Sequence, residues 1–210
     1  MEAENQGDEI NCKITLIGET NVGKTSLIQQ YVNNIFDPNY ITTIGGDQLI
    51  KPIISKNKKL NLNIWDTAGQ ERFRSINKIF IKNSKIVLLV YDITNKESFT
   101  KIVKYWYPKV INLLGKDIVI GLAANKCDLY ENEKVNYEEV KNFAEENNII
   151  FKETSAMDHE SIENFFNELI DIFWEKIKIL FVIKQLIYLQ LLLNLKQIIH
   201  VVKNFFIIKK

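Results

Sequence analysis

Three short segments carry residue types suited to chemistry on a phosphorylated ligand. Gly18-Glu19-Thr20-Asn21-Val22-Gly23-Lys24-Thr25 matches the spacing G-x-x-x-x-G-K-[ST]. Its glycines let the backbone curl, so that N–H groups along Asn21, Val22, Gly23, Lys24, Thr25 and Ser26 converge on phosphate oxygens. Lys24 brings a full positive charge to the β and γ phosphates, and the Thr25 hydroxyl is a ligand for Mg²⁺. Alone, this loop specifies a nucleoside triphosphate and leaves the base open.

Asn125-Lys126-Cys127-Asp128 addresses the base. A carboxylate at Asp128 accepts from both the N1–H and the 2-amino group of guanine, whereas adenine offers neither donor and would leave the carboxylate unpaired. The Lys126 stem lies along the base, Asn125 ties its loop to the phosphate loop, and a backbone N–H at Ser155-Ala156 reaches the guanine O6. The third segment, Trp65-Asp66-Thr67-Ala68-Gly69-Gln70, supplies Asp66 to hold Mg²⁺ through water. There the Gly69 amide approaches the γ-phosphate, and Gln70 orients an attacking water. Each segment alone also reads as an ordinary strand-end turn; their order along one chain favours the chemical reading.

These segments need strand ends to hold them. Lys13–Gly18 reads as a buried strand ahead of the glycine loop, with a helix over Lys24–Asn33. Gln48–Ser55 and Leu60–Asp66 are extended runs joined by a polar turn at Lys56–Lys59. Ile86–Val90 and Ile118–Leu122 are the continuous apolar runs of strands covered on both faces. Thr94-Asn95-Lys96-Glu97 predicts a capping box opening a helix towards Leu114. Asn136–Asn147 is a further helix, Ile149–Phe151 a short strand, and Ser161 begins a last helix. Alternating strands and helices with one hairpin predict an α/β fold on a mixed, mostly parallel sheet.

The bulk composition fits one buried core. The 210 residues are 46% hydrophobic, and 27 basic residues against 26 acidic ones leave a charge of +1, with no footprint for nucleic acid. Two cysteines, Cys12 and Cys127, and a polar, acidic N-terminus point to a reducing, cytoplasmic setting.

On these segments, and on Trp65–Phe73, Arg74-Ser75-Ile76 and Leu89–Thr94, the chain resembles the Ras superfamily and more closely its Rab branch, over about 11–174. That resemblance implies an α/β P-loop NTPase G domain, a six-stranded mixed sheet flanked by about five helices. It implies GTP and GDP as ligands, Mg²⁺ as cofactor, and a GTP-hydrolysing switch for intracellular vesicle-mediated transport. Phe36 would then pack on the guanine, and Thr43 would meet both Mg²⁺ and the γ-phosphate. The implied partners are an exchange factor, a GTPase-activating protein and effectors that read two switch segments. Both arginines, Arg72 and Arg74, lie beyond Gln70, so hydrolysis is expected to be slow alone and stimulated by the activating protein. The chain departs from Rab sequence at Gly45-Gly46-Asp47-Gln48, where a valine and an aromatic are usual, and at Ile79-Phe80-Ile81, which replaces paired tyrosines. An ATPase or nucleotide kinase, and an inactive nucleotide-binding scaffold, are the competing readings.

The expected organisation is a lead at 1–10, the G domain at 11–176 and a hydrophobic tail at 177–210. Rabs end in cysteines that take prenyl groups, whereas this chain has no cysteine after Cys127. Lys184 and Lys196 bracket only eleven residues, so a membrane span is not expected. Gln190, Asn194, Gln197, His200 and Asn204 instead form a polar stripe on an appended helix with a broad apolar face, suited to peripheral contact with endomembranes. Packing on a protein partner or on the G domain is open too, as is replacement of a cysteine-bearing end by a translated stretch.

Overall fold

The computed structural model describes residues 9–38, 46–67 and 77–207. Six strands form one sheet: β1 (Ile10–Ile17), β2 (Gly46–Ser55), β3 (Lys58–Thr67), β4 (Ile86–Asp92), β5 (Val119–Asn125) and β6 (Ile150–Thr154). Their order is β2-β3-β1-β4-β5-β6, antiparallel between β2 and β3 and parallel between all other neighbours. The hairpin turns on Lys56 and Asn57, both with positive φ (49° and 60°), the two-residue geometry that follows the right-handed twist of the strands. Every residue of β4 and β5 is buried, as their unbroken apolar sequences require.

The helices are α1 (Lys24–Asn33), α2 (Asn77–Ile81), α3 (Lys96–Lys101), α4 (Tyr107–Leu114), α5 (Tyr137–Glu146) and α6 (His159–Ile207). The start of α3 differs from the expected capping box. Asn95 is the N-cap, its side chain accepting from the N–H of Glu97 (3.0 Å) and Ser98 (3.4 Å). Thr94 is held instead by Asp92, whose Oδ1 accepts from the Thr94 N–H and hydroxyl. The helix expected to run on to Leu114 contains a wider turn at Ile102–Trp106, where the Tyr107 N–H donates to the Ile102 carbonyl. Pro108 follows directly; it lacks an N–H and crowds the carbonyl four residues back, and a widened turn relieves both problems.

The chain divides into two compact units, Met1–Ile170 and Asp171–Lys210. In the first, Tyr31 stacks on Phe166 with ring centroids 3.8 Å apart. Trp106, Phe99 and Val110 join β4 and β5 side chains in a buried cluster. Gly46 explains one departure noted in the sequence: a Cβ there would lie 2.5 Å from the Phe80 ring, which tilts against Trp65 at 5.4 Å. The second unit belongs to α6, of which His159–Gln197 is long and apolar enough to cross a membrane by length and composition.

Candidate functional site

Parallel strands direct their C-terminal ends to one edge of the sheet, and the loops that follow β1, β5 and β6 meet there with the end of β3. Between them lies a cavity of about 330 Å³, within the range of small-ligand sites. One wall is the phosphate loop. Gly23 sits at φ 92°, a left-handed conformation costly for other residues, and a Cβ there would come within 2.3 Å of Asn125 Nδ2. It is the N-cap of α1 without a side-chain cap, so the first N–H groups of that helix are available to an anion. Thr20, Asn21, Gly23, Lys24, Thr25 and Ser26 line the cavity, while Val22 is buried behind it.

The Lys24 ammonium is buried and donates to the carbonyls of Gly18 (3.1 Å) and Glu19 (2.9 Å). Burial pulls its pKa down to about 8, against the opposing charges of Asp66 and then Glu19. A buried cation of this kind gains from an anion brought alongside it. The Thr25 hydroxyl donates to Asp66 Oδ2, and Asp66 is 2% exposed. Thr25 lines the cavity and the Asp66 carboxylate is buried against its hydroxyl; both are hard oxygen donors, the kind a hydrated Mg²⁺ takes alongside substrate phosphates. Among the described residues no group of three or more His, Cys, Asp or Glu could hold a metal by protein ligands alone.

The opposite wall addresses a ring. Asn125, 1% exposed, donates from Nδ2 to the Val22 carbonyl at 2.7 Å and accepts from the Thr154 hydroxyl at 3.3 Å. Ser155 Oγ donates to Asp128 Oδ1 at 2.5 Å and accepts from the Met157 N–H at 3.1 Å, which fixes the carboxylate. Lys126, Asp128, Ser155, Ala156 and Phe36 all line the cavity, and Phe36 is 38% exposed at its rim. Thr43, Gly69 and Gln70 lie outside the described residues.

Sequence reasoning missed several residues here. Asp92 pairs with Lys126 Nζ at 2.6 Å and so anchors a residue that holds φ 66°. It was discoverable as the first charge after an apolar strand, and its register partner is Asn125. Glu19 accepts from the buried Trp106 Nε1 at 2.9 Å across 87 residues, a pairing for which the sequence offers no signal. Thr67 lines the cavity and donates to the Leu16 carbonyl at 2.7 Å. Asp37, Pro38, Leu129 and Met157 complete the lining.

The profile of the Ras family matches residues 13–174. The chain is 40% identical over 164 residues to the Ras-related protein SEC4 of Candida albicans, covering 78% of each chain. It is 39% identical over 163 residues to the Ras-related protein Rab-21 of Mus musculus, 78% of this chain and 73% of that one. Its identity to the Ras-related protein RIC1 of Oryza sativa is 40% over 154 residues. A phosphate loop, a carboxylate-bearing base loop and a parallel-sheet edge with that parentage lead to one conclusion: the chain belongs to the Ras family, as a Rab-like small GTPase that binds GTP and GDP, hydrolyses GTP and acts in vesicle traffic.

Proposed function

We propose that the cavity takes the nucleotide with its phosphates on the loop Gly18–Ser26 and its guanine between Phe36 and the Asn125–Asp128 loop. Lys24 faces the β and γ phosphates, and the backbone N–H groups of Asn21, Val22, Gly23, Lys24, Thr25 and Ser26 surround them. Asp128 accepts from N1–H and the 2-amino group, Lys126 lies along the ring, and Ser155 and Ala156 close its O6 edge. Thr25, Thr43 and, through water, Asp66 hold Mg²⁺, which neutralises charge on the phosphates when bound. Gln70 orients the attacking water and Gly69 contacts the γ-phosphate.

One observation carries this reading: the Asn125 to Val22 hydrogen bond, which joins base loop to phosphate loop across 103 residues. Loss of the γ-phosphate releases Thr43 and Gly69, so the two segments that bear them report the nucleotide to effectors, an exchange factor and an activating protein. The domain that does this is 11–176, preceded by a lead at 1–10. The tail at 177–210 makes peripheral contact with endomembranes from the cytoplasmic side. Displacement of a fluorescent GDP tests the base assignment. GTP should compete at a concentration lower than ATP by roughly 10³-fold or more, since a site built to pair with donors rejects a base that lacks them. Equal competition contradicts it.

A further inference from the structure

Charge is distributed very unevenly along this chain. Residues 177–210 hold six lysines and no acidic residue, so a chain of net charge +1 divides into a tail at +6 and a remainder at −5. The same tail is dominated by large apolar side chains, and in α6 they lie exposed: Leu180 at 58%, Phe181 at 61%, Ile187 at 56%, Leu191 at 56% and Leu195 at 54%. At 100° per residue these five fall within one arc of about a third of the helix circumference. Lys178, Gln185 and Lys196 return to a second line, because 18 residues complete five turns. Lys184 falls within the apolar arc, where its four-carbon stem can lie along acyl chains and carry the ammonium back to the surface.

A nucleic acid would use the lysines and leave the apolar arc in water. A second copy of the tail would cover the arc and set like charges side by side. A bilayer with anionic headgroups satisfies both features at once. We propose that residues 177–210 bind such a bilayer directly, the apolar arc seated at the acyl boundary and the lysines on phospholipid headgroups, whichever guanine nucleotide the chain carries. This rests on the reading of the tail as the membrane-contacting segment and adds the lipid chemistry it selects.

Flotation tests it, because vesicle-bound protein rises while aggregates sediment. The full-length chain, produced without lipid modification and loaded with GDP or a non-hydrolysable GTP analogue, is mixed with vesicles of phosphatidylcholine alone or with phosphatidylserine. Binding to the mixed vesicles in both nucleotide states, weakened by added salt, is the expected result. A surface lysine contributes roughly fivefold to partitioning, so the double variant K178Q/K196Q should lower it by an order of magnitude or more while fluorescent GDP binding stays unchanged. Equal flotation on both vesicles overturns the headgroup selection and leaves membrane contact standing. Absence of flotation, or a stable dimer in place of it, with GDP binding intact overturns both statements about the tail and leaves the GTPase assignment untouched.

Discussion

Asp66, Thr25 and Lys24 illustrate how few atoms the site needs. The Thr25 hydroxyl donates its proton to the Asp66 carboxylate, and the Lys24 ammonium donates to the loop carbonyls of Gly18 and Glu19. Ground-state binding therefore belongs to residues that the strand ends fix in place. The proposed function gives turnover to Gln70. Replacing Gln70 by Leu should leave the affinity for GTP within a few-fold of the parent while single-turnover hydrolysis slows by at least tenfold or so. Unchanged hydrolysis would remove Gln70 from the mechanism. At this scale the sequence was informative wherever the chemistry is local. The eight-residue phosphate loop and the four-residue base loop are each legible because their ligand groups are neighbours in the chain. Glu19 with Trp106 was not legible, because an indole 87 residues away becomes its partner only once a widened helical turn faces the loop.

Elements were legible by the same rule. The continuous apolar runs of β4 and β5 identify covered strands, and the hairpin follows from polar residues between two extended runs. The start of α3 was displaced by one residue because Asn95 and Thr94 are both capable caps, and Asp92 captures the threonine first. Asn95→Ala should accordingly cost about 1 kcal/mol, read as a lower urea midpoint with an unchanged slope. An unaltered midpoint would show that the cap bonds to Glu97 and Ser98 do not hold this helix. Gly46 was visible only as a departure from Rab pattern; its reason, room for the Phe80 ring, lies in tertiary packing. The length of α6 has a plainer cause: after Gly121 the sequence contains neither glycine nor proline, so nothing local stops the helix.

At the scale of the whole molecule, the burial of Cys12 and two tyrosines in the core gives stability a characteristic response to alkali. Burial pushes the Cys12 thiol from its ordinary 9.0 up to about 12, with a smaller opposing effect from Lys85. Burial raises the phenols of Tyr31 and Tyr91 as well. Between about pH 9 and 12 the unfolded chain loses the Cys12 proton while the folded chain retains it. The stability this group contributes is therefore complete below pH 9 and lost as pH rises towards 12. Cys12→Ala should flatten the fall in urea midpoint over that window, and an identical fall in the variant would contradict the assignment. The central claim, that separate strand ends assemble a guanine-reading site, meets its most direct test in Asp128→Asn assayed with GTP and with xanthosine triphosphate. An amide accepts from N1–H but donates where guanine also donates, so GTP affinity should fall by about a hundredfold or more, from the loss of charge-assisted hydrogen bonds. Xanthine presents an oxygen at that position, and the variant should bind its triphosphate more tightly than the parent does. A variant that kept its affinity for GTP and gained none for xanthosine triphosphate would contradict the account.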